Sequence, residues 1–167
     1  MQRRTVFCAL ALSPLILTGC AVPDANLLFA SAGRFSATGT DADGKKFAVS
    51  GRYDLRRRAE SIRLDLMTPL NGILARIDIT STGASLTLHG HDAPVTAQNA
   101  ELLMTQMLGF SFPVEAVESW LRDERSAFYE YGWQIRILQR FPDGTPKTVR
   151  ASRTMPAVSV TLAADSR

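Results

Sequence analysis

The sequence predicts one domain of mainly β structure with short helices, and three observations support this prediction. Apolar residues alternate with polar ones in run after run between residues 33 and 88, which is typical of strands with one buried face. Helical spacing replaces this alternation between residues 99 and 121, and the alternation then returns up to residue 163. We therefore expect an α+β fold in which short helices cover the concave apolar face of a strongly curved antiparallel sheet.

The first residues resemble an export signal rather than part of the fold. Arg3 and Arg4 precede an apolar stretch that is too short to span a bilayer as a helix. The stretch ends in Leu17-Thr18-Gly19-Cys20, and small residues before a cysteine are similar to a bacterial lipobox. This similarity implies that Cys20 becomes the lipid anchor. The alternative is an ordinary signal peptide with a chance cysteine.

The domain boundaries follow from this interpretation. We predict a lipoprotein signal peptide at residues 1–19, a lipidated N-terminus and weakly structured tether at 20–32, and a single lipoprotein-binding β domain at 33–167. The residue after the anchor is Ala21, whereas an Asp there favours inner-membrane retention in enterobacterium-like sorting. We expect the mature protein on the periplasmic face of the outer membrane.

Composition excludes several classes of protein. Cys8 is lost with the signal and Cys20 is used by the anchor, so the mature chain has no thiol left for a disulfide. Burial alone must then stabilise the domain, and a domain of this size buries roughly 70% of its unfolded surface. Without Arg3 and Arg4, 17 basic residues stand against 16 acidic ones, which excludes a nucleic-acid footprint.

The first five strands are predicted by alternation, with turn signals between them. Their inward positions are Phe35 and Ala37; Phe47, Val49, Gly51, Tyr53 and Leu55; Ile62, Leu64 and Leu66; Ile73, Ala75, Ile77 and Ile79; and Leu86 and Leu88. Later strands are expected at about 126–141, 147–153 and 157–163, with a hairpin at Pro142-Asp143-Gly144.

Two helices interrupt the strands. Asn99 is a candidate N-cap, Gly109 is placed to end the first helix, and Pro113 is placed to begin the second. The apolar positions at helical spacing are Leu102, Leu103, Met107 and Leu108 in the first helix and Val114, Val117, Trp120 and Leu121 in the second. Methionines on an apolar helix are ordinary core residues in most proteins, but they also suit a pocket for ligands of variable shape.

Candidate catalytic and metal-binding motifs are few. The sequence has no nucleophile elbow, phosphate loop or dinucleotide fingerprint. His89 and His91 could begin a metal site but are the only histidines, and a polar hairpin tip is the simpler interpretation. The stretch 41–44 lacks the Glu that closes a calcium loop, and Arg56–Arg58 could meet lipid phosphates or form a solvated turn. We expect no enzymatic activity and no cofactor.

The turn at residues 69–72 has an unusual tip. Pro69, Asn71 and Gly72 specify a turn, yet Leu70 lies at its tip and Leu74 follows soon after. Scattered exposed leucines are normal on protein surfaces, so this tip alone is no proof of function.

Three segments in order resemble one family. The segments LDLMTPLNG, VTAQNAELLMTQMLG and FPVEAVESWL, behind a lipobox, are similar to the LolB family of outer-membrane lipoprotein receptors. The resemblance runs from Gly33 to Trp133. It implies an unclosed antiparallel β-barrel whose concave face holds acyl chains. Such a receptor accepts client lipoproteins from a soluble, LolA-like periplasmic carrier and inserts them into the outer membrane without ATP.

The resemblance also implies roles for single residues. The family's cavity tryptophans fall on Trp120 and Trp133, another frequent tryptophan falls on Tyr53, and the membrane-inserting leucine falls on Leu70. The chain departs from the family in its shorter N-terminal segment and in the lack of a terminal strand after about residue 164. Adding the apolar face of the sheet and the helix stripes, we predict an acyl-chain groove formed by Phe47, Val49, Tyr53, Leu64, Leu103, Met107, Trp120 and Trp133. The predicted membrane-insertion loop is Pro69, Leu70, Asn71, Gly72 and Leu74.

Two interpretations from other classes stay open. The domain could be a scaffold lipoprotein whose sheet packs a protein partner, or a module that binds a small hydrophobic ligand. A concave face filled by its own side chains would leave no room for acyl chains. Under the receptor interpretation the partners are the carrier, the client lipoproteins and outer-membrane phospholipid, and we expect a monomer.

Overall fold

The computed structural model describes residues 26–40, 44–70, 72–91, 93–108 and 110–165. The strands are β1 (Leu27–Thr40), β2 (Lys46–Arg58), β3 (Ser61–Met67), β4 (Ile73–Thr80), β5 (Gly83–Leu88), β6 (Val95–Ala97), β7 (Ala127–Glu130), β8 (Trp133–Arg140), β9 (Pro146–Arg153) and β10 (Val158–Ala164). Helix α1 is Ala100–Leu108, and a 3-10 turn at Val114–Ala116 continues into helix α2, Val117–Trp120.

All ten strands form one antiparallel sheet. Their order is β6-β5-β4-β3-β2-β1-β10-β9-β8-β7, and every pairing between neighbours is antiparallel. The edge strands β6 and β7 do not pair with each other, so the sheet is not closed. The predicted α+β fold with an unclosed antiparallel sheet is confirmed.

Two glycines allow close packing of neighbouring strands in the middle of the sheet. A Cβ at Gly33 would lie 2.0 Å from the carbonyl oxygen of Ala163, and one at Gly51 would lie 2.2 Å from that of Met67. Glycine inside a strand commonly marks such a close backbone approach. Any side chain at these two positions would push the strands apart.

Strand β1 begins earlier than the sequence predicts. The expected tether ran to residue 32, but β1 starts at Leu27 and pairs with β2 from Leu27 opposite Arg58. Phe29 is buried, and the Arg122 guanidinium packs over its ring at 4.7 Å. The small residues Ala30 to Ala32 hide the alternation in the sequence. Residues 1–25, including Cys20, lie outside the described residues.

The predicted strand at 126–141 is two strands, which is a correction. Strands β7 and β8 form a hairpin whose turn residues Tyr131 and Gly132 have φ values of 49° and 77°. Positive φ at both central residues suits the twist of a tight hairpin. Tyrosine is an unusual residue for that backbone conformation, so the sequence carries only half of the turn signal. The short strand β6 was also not predicted.

The helices cover the concave face as predicted. The side-chain oxygen of Asn99 accepts a hydrogen bond from the Leu102 amide at 2.9 Å, which confirms the N-cap of α1. Helix α1 packs over β5 and β6 and buries Ala100, Leu103 and Met104. Leu102, which was expected on the apolar stripe, is 44% exposed because it lies about 100° around the helix from Leu103, and this is a correction. The predicted stripe of the second helix is buried and comprises Val114, Val117, Trp120 and Leu121. The predicted helix stop, Gly109, lies outside the described residues.

The helices are short. Among the described residues, none is long and apolar enough to cross a membrane.

Candidate functional site

An apolar cavity of about 500 Å³ lies between the concave face of the sheet and its helical cover. Its volume is within the usual range for small-molecule sites, about 300–1,000 Å³. Its lining side chains from the sheet are Phe35, Ala37, Phe47, Val49, Tyr53, Leu64, Leu66, Ala75, Ile77, Leu86, Leu88, Val160 and Leu162. Those from the cover are Met104, Met107, Phe110, Phe112 and Val117. All are apolar except for the Tyr53 hydroxyl.

Strand register builds the floor of the cavity. Residues directly opposite one another on neighbouring strands share a face. One row across β2 to β5 is Tyr53, Leu66, Ala75 and Leu88, and the next row is Leu55, Leu64, Ile77 and Leu86. Seven of these eight residues line the cavity. The alternation read from the sequence therefore becomes a continuous apolar surface.

Aromatic rings connect the cover to the sheet. Phe47 of β2 stacks on Phe110 with ring centroids 6.4 Å apart. Phe112 meets Trp120 at 6.0 Å and Trp133 at 5.4 Å, both edge to face. Phe110 and Phe112 belong to the segment between the helices and line the cavity. This segment is therefore held on the rings of both the sheet and the second helix.

The structure divides the predicted groove residues into two groups. Five of them line the cavity, namely Phe47, Val49, Tyr53, Leu64 and Met107. The other three are completely buried and do not line it, namely Leu103, Trp120 and Trp133. Because Phe112 lines the cavity and packs edge to face on both tryptophan rings, the tryptophans support the lining without forming it.

The two tryptophans differ in their polar contacts. The Trp120 indole Nε1 donates a hydrogen bond to Glu130 Oε2 at 2.6 Å. The Trp133 Nε1 is buried without a hydrogen-bond partner among the described residues, although the Arg153 guanidinium lies 5.5 Å above its ring. Trp120 is thus oriented by a hydrogen bond, whereas Trp133 is held by ring packing.

Tyr53 carries the one polar group of the lining. Its hydroxyl lies 3.0 Å from the Ser31 hydroxyl, which lets the two groups share a hydrogen bond. Burial raises the pKa of Tyr53 above its usual value; the hydrogen bond to Ser31 lowers this pKa, and the charge of Asp165 raises it. Tyr53 therefore stays neutral in a lining that offers a ligand mainly apolar contact.

Sequence reasoning missed more than half of the lining. Alternation predicts Leu66, Ala75 and Leu88 as inward strand positions, and only the register shows that they continue the row of Tyr53. Phe110 and Phe112 lie in a connection without periodicity. No pattern in the sequence separates these two rings from ordinary core residues.

The predicted membrane loop is an exposed turn. Leu70 is 93% exposed, and the turn is closed because the Thr68 amide donates to the Gly72 carbonyl at 2.8 Å while the Gly72 amide donates to the Thr68 hydroxyl at 3.1 Å. Leu74 is 38% exposed and Ile73 is 41% exposed. Ile73 was expected to face inward, but a register shift after Leu66 alters its position. The apolar tip is therefore larger than predicted.

Pro69 is exposed and Gly72 closes the turn beside it. Asn71 lies outside the described residues.

Other candidate sites of the sequence are placed as follows. Among the described residues, no group of three or more His, Cys, Asp or Glu side chains is arranged to hold a metal ion. His89 and His91 lie at the turn after β5. Arg56 pairs with Asp54 at 2.9 Å, and Arg57 pairs with Glu118 at 3.3 Å. Residues 41–43 lie outside the described part of the chain.

Comparison with known proteins agrees with this architecture. The family described as outer membrane lipoprotein LolB matches residues 28–161. The chain is 33% identical to the outer-membrane lipoprotein LolB of Cupriavidus metallidurans, over 93% of this chain and 86% of the relative. It is 37% identical to that of Ralstonia nicotianae, over 81% of this chain and 78% of the relative. The corresponding protein of Bordetella petrii is 32% identical, over 84% and 81%.

These relatives are outer-membrane lipoproteins by name, in agreement with the lipid-anchored outer-membrane location predicted from the lipobox. Together, the open antiparallel sheet, its covered apolar cavity and the match over most of the chain show that this protein belongs to the outer-membrane lipoprotein LolB family.

Proposed function

We propose that this protein is an outer-membrane receptor that takes the acyl chains of lipoproteins from a soluble, LolA-like periplasmic carrier and inserts the lipoproteins into the membrane. The observation that carries the proposal is the apolar cavity of about 500 Å³ beneath the helical cover. A scaffold that packs a protein partner has no use for such a cavity, so its presence favours the receptor.

Transfer of this kind needs no ATP. Burial of each acyl methylene is worth about 0.8 kcal/mol, so a cavity that buries about ten methylenes gains about 8 kcal/mol. The bilayer buries the whole of every chain, whereas the cavity buries part of it. A loaded receptor at the membrane surface therefore releases its lipoprotein down a free-energy gradient.

The cover suits ligands of differing shape. Met104 and Met107 of α1 face the cavity, and methionine side chains are flexible and polarisable. Val49 lines the cavity and is 45% exposed, so it marks the open side through which chains enter. We assign direct acyl contact to Phe47, Val49, Tyr53, Leu64 and Met107, and we assign support of the cover to Leu103, Trp120 and Trp133.

A matched pair of variants tests the cavity. Val49→Glu places a charge in the lining, whereas Val95→Glu makes the same change on β6, at a residue of similar exposure that does not line the cavity. The mature chain is mixed with carrier that holds a radiolabelled lipoprotein, and the lipoprotein transferred to the receptor is counted. We expect Val49→Glu to accept at least tenfold less lipoprotein and Val95→Glu to accept as much as wild type. Equal acceptance by both variants would contradict the proposal.

Delivery is the second step, and we propose that Leu70 acts there. Inserting one leucine into a bilayer gains only about 1.5–3 kcal/mol, which is too little to anchor a protein but enough to bring the open side of the cavity against the lipid. Leu70→Glu should load normally and deliver lipoprotein to liposomes poorly. Met155→Glu, at another exposed turn, is the control. Wild-type delivery by Leu70→Glu would remove this role, and failed loading would place Leu70 at the cavity instead.

A further inference from the structure

The outer face of the sheet has two differently charged halves. On β2, β3 and β4, arginines and aspartates pair: Arg76 with Asp65 at 2.7 Å and Arg63 with Asp78 at 2.6 Å. Strands β1, β8, β9 and β10 contain no Asp or Glu at all. The carboxylate that follows β10, Asp165, pairs with an arginine of β2. Cations on the second half therefore have no acidic neighbour within their own strands.

Three arginines lie unpaired on that acid-free half. Arg136 and Arg150 are directly opposite each other on β8 and β9, and both are exposed. Arg34 of β1 lies on the same outer face, and strand geometry places its Cα roughly 12 Å from the Cα of Arg150. Within the described residues, none of the three side chains makes an ion pair or a hydrogen bond. By contrast, Arg140 and Arg153 of these strands donate to backbone carbonyls.

Such an arrangement is unfavourable without an anionic partner. Like charges directly opposite each other on neighbouring strands destabilise a sheet. Exposed apolar side chains flank the pair: Tyr129 is 76% exposed and opposite Gln134, and Leu138 follows Arg136 by two residues and is 44% exposed. Arginine beside tyrosine and leucine is typical of groups that lie at the headgroup level of a membrane.

The position of the anchor favours lipid as the partner. Six residues separate Cys20 from Leu27, where β1 begins, and a chain of that length reaches about 25 Å at most. The domain thus stays close to the bilayer, where a cationic face meets headgroups at high effective concentration. This argument rests on the lipid-anchored location alone and is independent of what the cavity binds.

We propose that Arg34, Arg136 and Arg150 bind anionic phospholipid headgroups, so that the outer face of β8 and β9 lies on the membrane that carries the anchor. The contact is separate from the one proposed for Leu70, which lies between β3 and β4 on the other side of β1 in the sheet order. The domain therefore has a second membrane contact, made by charge rather than by an inserted leucine.

The test uses the lipidated full-length mature protein in phosphatidylcholine vesicles with and without phosphatidylglycerol. Cys8 is removed with the signal, and the thiol of Cys20 is blocked by lipid. The new thiol of Gln134→Cys can therefore be labelled alone. Energy transfer from this dye to an acceptor on lipid headgroups reports the distance of β8 from the membrane. A dye at Thr87→Cys, on the outer face of β5 opposite Arg76, serves as the reference.

Phosphatidylglycerol should increase energy transfer from the dye at Gln134→Cys more than from the dye at Thr87→Cys. Each arginine near an anionic membrane strengthens membrane binding about fivefold. The double variant Arg136→Gln, Arg150→Gln should therefore weaken docking about 25-fold. Arg63→Gln with Arg76→Gln removes the same charge from the paired half and should leave docking unchanged. Both double variants should fold, as circular dichroism can verify, since all four arginines are on the surface.

Three outcomes would overturn the proposal. Energy transfer that is independent of phosphatidylglycerol would show that charge does not hold this face on the membrane. An unchanged Arg136→Gln, Arg150→Gln variant would show that other residues do so. A variant that docks normally but loses binding to the soluble carrier would assign the arginines to an acidic protein surface instead.

Discussion

The concave face of the sheet has an open region and a filled region, although both are built from the same kinds of residue. The row Tyr53, Leu66, Ala75 and Leu88 borders the cavity. The parallel row Ile62, Ile79 and Ala84 is buried and does not line it. Both rows consist of residues at the inward positions of their strands, so the alternation along the sequence does not distinguish them. The difference arises from what packs over each row, so a run of inward apolar residues does not by itself distinguish a core from a binding cavity.

The same contrast exists in the helical cover. Leu103 and Trp120 are completely buried, whereas Met107 is half-buried and faces the cavity. Core side chains make contacts on all sides, and those at a cavity lack them on one side. Substitutions in the two regions should therefore differ in their effect on stability and on ligand binding.

The largest expected effect is the loss of an indole from the filled region. Trp120→Ala should lower the free energy of unfolding by about 3–5 kcal/mol, because it removes a fully buried aromatic side chain. Met107→Ala, at the cavity, should cost less than about 2 kcal/mol, since its side chain is already partly exposed. Urea denaturation of both variants measures the difference. Equal losses would show that the cover is packed alike in both regions.

An alanine-to-phenylalanine pair tests the free space itself. Ala84→Phe should cost about 1–3 kcal/mol, since overpacking a filled core strains it. Ala75→Phe should cost less than about 1 kcal/mol because its ring can enter the cavity, and it should reduce the binding of a fluorescent fatty acid at least tenfold. Thermal unfolding and probe titration measure the two effects. If Ala75→Phe were as destabilising as Ala84→Phe, the cavity would not be open in solution.

The two tryptophans should respond differently to phenylalanine. Trp120→Phe leaves the Glu130 carboxylate without its indole donor and should cost about 1–3 kcal/mol. Trp133→Phe removes an indole N–H that has no partner among the described residues, so it should cost about 1 kcal/mol less than the change at Trp120. Both variants lose similar ring volume, and the difference between their urea midpoints therefore isolates the hydrogen bond. A larger loss at Trp133 would contradict this assignment.

The smallest expected effect concerns pH. Because burial raises the pKa of Tyr53 in the folded protein, its contribution to stability is complete below the unfolded value of about 10 and is lost as the pH rises above it. Tyr53→Phe should flatten the fall of the unfolding free energy at alkaline pH. Measuring both proteins at each pH cancels the titration of lysines. Identical slopes would show that Tyr53 titrates as an exposed tyrosine does.

Much of the fold could be predicted because its signals are local. Alternation in residues 46–55 and 61–67 depends only on one buried face, and the Asn99 cap depends on one side chain and the next turn of the helix. The hairpin at Tyr131-Gly132 could not be predicted fully, since its first residue adopts a conformation that the surrounding strands impose. The start of β1 was missed because small residues carry little hydrophobic signal.

The site could be predicted only in part. The family resemblance brought Trp120 and Trp133 into the predicted groove, and in the structure both pack on Phe112 and do not line the cavity. Phe47 and Met107, chosen by periodicity, line the cavity. Resemblance and periodicity both identify apolar positions, and neither contains the distance between the helices and the sheet.

By itself, the sequence determined the apolar alternation of β2 and β3, the N-cap of α1, the buried stripe of the second helix and the exposed leucine turn, since each depends on neighbouring residues along the chain. Only the tertiary structure decided which apolar residues enclose space and which fill it, because that depends on how far the segment with Phe110 and Phe112 is held from the sheet. It also decided the pairing of charges on the outer face, since Arg136 and Arg150 meet only through the register of two strands.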